Sequence, residues 1–99
     1  MSKIIFEINY NIHPDKREDY LSTINELRRS ITETSSSNYS VYENKKSQNN
    51  FTEMYICENE EEFEAIEDNQ SDETMELTQR LFDNFIKDNK VSYFTKYEV

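Results

Sequence analysis

The residues of this chain best suited to chemistry are two glutamates and a set of aromatic and amide side chains around them. Glu7 and Glu53 each sit in an alternating, strand-like run, and strands that are neighbours would point both carboxyls at one cavity face. Two carboxyls brought together out of water repel each other and raise one pKa, which supplies a general acid or base. At a solvated rim the same pair would be ordinary surface charge. Asn9, Tyr55, Tyr93 and Tyr97 fall nearby and could line a polar-aromatic pocket that holds a small aromatic or cyclic ligand by stacking and hydrogen bonds. Tyrosines in that position could equally be contacts between subunits.

Other reactive groups point to structural roles. His13 directly precedes Pro14 and reads as a helix cap. Cys57 cannot close an internal disulfide alone, and its neighbours Glu58 and Glu60 to Glu62 are acidic, the wrong environment for a thiolate. No His/Cys cluster occurs, and Asp68 to Asp72 lacks the glycine and the terminal glutamate of a calcium loop, so no metal is expected. With no glycine in the chain, a Gly-rich phosphate loop is impossible, and no cofactor is called for.

The positioning elements follow from periodicity. Residues 3–12 alternate, with Ile4, Phe6, Ile8, Tyr10 and Ile12 on one side and Ile5, Glu7, Asn9 and Asn11 on the other, which predicts a strand. Tyr20, Ile24, Leu27 and Ile31 then recur at helical spacing, so a helix is expected over 14–32, acidic at its start and basic late. Residues 33–38 are a polar connection. Runs 39–43 and 51–57 predict an antiparallel hairpin. Asn44, Asn49, Asn50 and Asn89 stand at turns or helix ends, where asparagine substitutes for glycine at positive φ. Asn59 with Glu62 predicts a helix start. An amphipathic segment with Met75, Thr78, Leu81, Phe82, Phe85 and Ile86 is expected to end at 87–89, before a closing strand over 91–99.

Strand, helix, strand, strand, helix, strand is the split βαβ order of an α+β, ferredoxin-like βαββαβ domain, here expected to fill residues 1–99. Its four-stranded antiparallel sheet places the first strand between the third and fourth, with the helices on one face. The other face, expected to hold Ile5, Phe51, Tyr55, Tyr93 and Tyr97, is too aromatic for water, so a second subunit should cover it.

Composition agrees with an oligomer. The 99 residues are 34% hydrophobic, below the roughly 45–50% of soluble domains, so one chain alone buries a modest core. The net charge of −10 argues against nucleic acid and anionic membranes. No stretch approaches the ~20 apolar residues of a membrane span and no leader pattern opens the chain, so a cytoplasmic protein is expected.

The run Ile8 to Leu21, with Asn11-Ile12-His13-Pro14-Asp15-Lys16 at its centre, resembles the opening of the dimeric α+β barrel superfamily. It is similar in particular to antibiotic biosynthesis monooxygenase (ABM) domains, whose first strand ends in a Pro-(Gly/Asp)-Lys turn. Asn50 to Phe63 resembles that family's third strand and following helix start. The resemblance implies a homodimeric barrel that binds a small molecule, and it leaves open the cofactor-free oxygenation of electron-rich aromatics that some members perform. The alternative is a non-catalytic dimeric module for a ligand or a protein. Haem-degrading members resemble one another in an Asn, a Trp and a His. Asn9 or Asn11 matches the first, Cys57 stands at the second, and the third falls near Ile66 or Glu67, which argues against that reaction.

Overall fold

A computed structural model describes residues 2–34, 38–68 and 70–99. In chain order it contains β1 (Ile4–Ile12), a 3-10 turn (Pro14–Lys16), α1 (Arg17–Thr34), β2 (Asn38–Glu43), β3 (Asn50–Cys57), α2 (Glu60–Asp68), α3 (Asp72–Asn84) and β4 (Ile86–Tyr97). The strands form one antiparallel sheet in the order β2-β3-β1-β4, the ferredoxin-like arrangement. Of the expected polar connection, residues 35–37 lie outside the described part, as does Asn69 in the interruption between α2 and α3.

Each helix lies over one face of the sheet. The α1 stripe Tyr20, Ile24, Leu27 and Ile31 is buried, and Tyr20 meets Tyr10 and Phe51 of the sheet and Phe85 beyond α3 at ring-centroid distances of 6.0, 4.5 and 6.1 Å. α2 starts as expected: the Asn59 side chain accepts the Glu62 N–H at 2.9 Å, while the Glu62 carboxylate accepts the Glu58 N–H at 3.0 Å. α3 is capped by Ser71, whose hydroxyl accepts the Thr74 N–H at 3.1 Å. Its buried stripe is Thr74, Leu77 and Leu81: Leu81 is buried as expected, as is Phe85 beyond the helix, while Thr74 and Leu77 take the places expected for Met75 and Thr78, so Met75 faces outward. Thr74 tolerates burial because its hydroxyl meets that of Ser30 at 2.6 Å across the α1–α3 contact. Among the described residues, no helix is long and apolar enough to cross a membrane.

Two boundaries differ from expectation. His13 precedes the 3-10 turn, but its side chain makes no capping bond; its carbonyl accepts the Lys16 N–H and its own N–H reaches the Phe85 carbonyl, both at 3.0 Å. α3 also stops at Asn84, and Ile86 belongs to β4, paired with Ile12. A buried helical stripe and a buried strand place Phe85 and Ile86 against the same core, so apolar spacing could not separate them. Beyond Ile86, Asp88 and Asn89 take φ of 60° and 53° and residues 87–90 stand opposite Asn11 alone, a bulge before Val91 rejoins Tyr10. Asn49 also has positive φ, at 66°. Asn44 and Asn50 do not, and Asn44 instead stabilises its turn by accepting the Lys46 N–H at 3.0 Å.

A charged latch ties α1 to the hairpin. The Arg17 guanidinium makes a two-pronged contact to Glu43 at 2.6 and 2.8 Å, reaches the Asn49 side chain at 2.9 Å, and lies 5.6 Å from the Phe51 ring centroid. Hydrogen bonds from Arg17 and from the Asn49 N–H pull the Glu43 carboxyl down to about 2. A carboxyl depressed on folding adds stability that is present above its unfolded pKa and is lost as pH falls through the folded one. Acid titration should therefore remove stability between the usual carboxylate pKa of about 4.5 and about 2. Denaturant melts across that window should show a shallower loss in Glu43→Gln than in the native chain, and parallel curves would refute the latch.

Candidate functional site

Strand register decides which side chains can cooperate. Ile8 stands opposite Glu53, Tyr10 opposite Phe51 and Phe6 opposite Tyr55, so all six project to one face. That face is the one under the helices. β4 places Tyr93 opposite Ile8 and Tyr97 opposite Ile4, hence on the same side. Glu7, Asn9, Ile5, Thr52, Met54 and Ile56 project to the opposite, helix-free face.

Glu7 and Glu53 are thus not brought together. The sheet separates them, and the expected placement of Phe51, Glu53, Tyr55, Tyr93 and Tyr97 on the bare face is corrected. A one-residue change in phase moves every side chain of a strand across the sheet. Glu7 instead meets Lys96 at 2.7 Å on the helix-free face. Asn9 lies on that face too, where its amide donates to the Asn50 and Thr52 side chains, each at 2.9 Å.

Glu53 is buried in the core, 6% exposed. Tyr10 of β1 donates to Oε2 at 2.8 Å and Tyr39 of β2 donates to Oε1 at 2.6 Å. Behind them the Tyr10 and Tyr20 hydroxyls meet at 2.7 Å. Tyr10 has one hydrogen, which goes to Glu53, so Tyr20 must donate to Tyr10. Protonating Glu53 on Oε2 would reverse this row and leave the Tyr20 hydrogen without an acceptor. The hydrogen bonds therefore favour the carboxylate, while burial disfavours it. Two bonds to a charged group at about 1.5–3 kcal/mol each offset only part of the desolvation penalty. Desolvation wins, and the Glu53 pKa is raised. Burial first, and the carboxyl second, push the Tyr10 and Tyr39 phenols up as well, so both stay protonated.

Next to this cluster is an aromatic cleft. Phe6, on the sheet, meets Phe63 of α2 edge-on at 5.9 Å, and together with Glu64 and Ile66 they line a cavity of about 320 Å³. Tyr55 lies between cleft and carboxyl, 6.2 Å from Phe6 and 4.8 Å from Tyr39 by ring centroid. It is only 6% exposed, and its hydroxyl makes no hydrogen bond to the protein among the described residues. Tyr93 stacks on Phe6 at 6.2 Å with a 12° interplanar angle, its ring mostly in solvent. Tyr97 lies further along β4, beside a separate hollow of about 570 Å³ that it shares with Ile4 and Glu58 to Glu61.

The arrangement can shelter a flat apolar molecule and keep a proton-exchanging group within the same layer of side chains. No local pattern in the sequence ties Tyr10, Tyr20 and Tyr39 to Glu53. The one available signal was a glutamate within the otherwise apolar alternation Phe51, Tyr55, Cys57. The Cys57 thiol, fully buried, has its pKa raised chiefly by desolvation, the opposite of a reactive thiolate.

No protein-family model matches the sequence, and no curated protein matches it. Solved structures do. A conserved protein from Methanosarcina mazei Go1 superposes with a TM-score of 0.83 at 15% identity, covering 100% of this chain and 95% of that one. An antibiotic biosynthesis monooxygenase gives 0.75 at 13% identity over 100% and 99% of the two chains. A cofactor-independent oxygenase from Streptomyces nogalater, determined as a mutant, gives 0.71 at 7% identity over 95% and 90%. The chain therefore has the ferredoxin-like α+β fold of ABM-like structures.

The cluster sets a measurable pH response. A carboxyl whose pKa rises on folding is held more often protonated in the native state, so stability falls as pH climbs from the unfolded pKa to the native one. Carboxyl-detected NMR should find Glu53 titrating above the usual 4.5. Tyr39→Phe removes a donor to the carboxylate and should move the midpoint higher still. A Glu53 midpoint that is ordinary, or unchanged by Tyr39→Phe, would contradict this balance of burial and bonding.

Proposed function

We propose that this chain is a cytoplasmic, homodimeric small-molecule-binding protein that takes a flat aromatic or cyclic ligand into the cleft between α2 and the sheet, and that it acts there as a cofactor-free oxygenase. The observation that carries the reading is the contiguity of the aromatic cleft with the buried Glu53 cluster through Tyr55. Phe6 and Phe63 supply apolar area and edge-on packing for a flat ring. Tyr55 brings an unoccupied hydroxyl to position an oxygen of that ring. Glu53 is the proton acceptor, acting through the Tyr39 hydroxyl, and a ligand made electron-rich by losing its proton can reduce oxygen without a bound cofactor. The fold shared with a cofactor-independent oxygenase supports this choice by analogy.

The second reading is a non-catalytic dimeric module for a ligand or a protein. Both Glu53 oxygens already accept tyrosine hydroxyls, which is what a purely structural carboxyl would do.

Dimerisation belongs to both readings. The helix-free face carries Ile5, Met54, Ile56 and Phe94 around the Glu7–Lys96 pair, with Tyr42 beyond them. A second copy placed by a two-fold axis would cover this patch with its own equivalent.

Light scattering should report a dimer for the native chain and a monomer for Met54→Lys, while a native monomer would refute the dimer. Titration with 1-naphthol, a flat phenol, should perturb the NMR signals of Phe6, Phe63 and Tyr55, with oxygen uptake that falls roughly a hundredfold or more in Glu53→Gln, in line with losing a positioned base. Binding without uptake selects the module. Absence of binding by naphthol and by larger polycyclic phenols would overturn the cleft assignment.

A further inference from the structure

Aromatic rings form a connected path from the surface to the core, and its outer end at Tyr93 has no part in the ligand-binding reading. Tyr93, 58% exposed, stacks on Phe6 at 6.2 Å; Phe6 is 6.2 Å from Tyr55; Tyr55 is 4.8 Å from Tyr39; and the Tyr39 hydroxyl donates to Glu53 at 2.6 Å. The path thus runs from solvent to a carboxylate in the core. A tyrosine that loses an electron becomes a strong acid and must release its phenolic proton. A buried tyrosine can be oxidised readily only where a base waits within hydrogen-bond distance. Tyr39 and Tyr10 have such a base in Glu53. The exposed Tyr42, Tyr93 and Tyr97 have no carboxylate partner among the described residues. The chain contains no tryptophan, so no indole competes for the oxidising equivalent.

We propose that Tyr39 and Glu53 form a one-electron redox site, reached from solvent through Tyr93, Phe6 and Tyr55, that accepts oxidising equivalents from a phenoxyl or peroxyl radical. In the step, the radical takes one electron and becomes its anion. The electron comes from Tyr39 and crosses the Tyr55, Phe6 and Tyr93 rings, which bridge the gap and keep their own protons. The Tyr39 O–H bond breaks, its proton passes to Glu53 Oε1, and the products are a neutral Tyr39 radical and a carboxylic acid. The core then holds the radical away from the collisions that would couple it to a second tyrosyl radical. The role needs no ligand in the cleft and stands apart from oxygenation.

The test is oxidation of the whole protein by azide radicals from pulse radiolysis, followed by absorbance and EPR. The native chain should yield a tyrosyl radical living roughly a hundredfold longer than in Tyr39→Phe, where Glu53 loses the donor at the end of the path and keeps only Tyr10, whose ring packs on Tyr20. In Tyr39→Phe the radicals should stay at the surface and couple to dityrosine. Tyr93→Phe should slow arrival at the core and leave the final lifetime unchanged. Native radical transfer should also be slower in D2O, because the proton moves with the electron. That measurement needs no variant and keeps the test decisive if Tyr39→Phe fails to fold. Equal lifetimes in the native chain and a folded Tyr39→Phe, or no isotope effect, would overturn the proposal.

Discussion

A carboxyl group in a hydrocarbon interior has to be met by donors, and much of this structure is arranged around meeting one. Glu53 draws a hydroxyl from β1 and another from β2, the two strands that flank its own, while α1 contributes the tyrosine behind them. Removing either partner of such a contact leaves a buried polar atom without a mate, a penalty of about 1–3 kcal/mol and more when it is charged. The requirement couples the register of three strands to the seating of a helix. Hydrophobic packing alone tolerates small slides between layers, whereas hydrogen bonds of 2.6 to 2.8 Å do not.

One-sided packing is the second organising constraint. All three helices share a face, so the sheet has a dry side built from Ile4, Tyr10, Ile12, Phe51 and Cys57 and another that is half-wet. The half-wet side combines an apolar patch with amide ladders, Asn9 and Asn11 each bonded to Asn50. Such a mixture is neither a core nor an ordinary solvent face. On the dry side, Tyr93 and Tyr97 of the edge strand β4 remain exposed beside rings that are buried.

Much of the fold was legible in the sequence for physical reasons. The α1 stripe, the hairpin and the Asn59 start each rest on local periodicity or a local hydrogen bond, and all three stand in the structure. The site was less legible. In β3 both alternating sets contain apolar residues, Phe51, Tyr55 and Cys57 against Met54 and Ile56, so alternation could not say which faces the helices. A glutamate in the first set makes that set look like the wetter one. Only the partners reveal otherwise, and Tyr10, Tyr20 and Tyr39 come from three other elements, with no local spacing to connect them. Glu7, Asn9 and the β3 tyrosine consequently appear as one group in the sequence and as residues of two faces in the structure.

The bulge at residues 87–90 bears on how the protein behaves in a crowded solution. β4 is an edge strand, and past the bulge it carries Tyr93, Phe94, Thr95 and Tyr97 in a run with high strand propensity and large exposed rings. A free edge of that composition is a template on which other chains can add as strands and grow into fibrils. Two consecutive left-handed residues, Asp88 and Asn89, break the flat edge at one end, with Lys90 charged beside them, and Lys96 places charge along the remainder. A straightened β4, with ordinary extended residues at 88 and 89, would offer twelve uninterrupted residues to an incoming strand. The irregularity that spoils the ladder with β1 is thus also a brake on polymerisation.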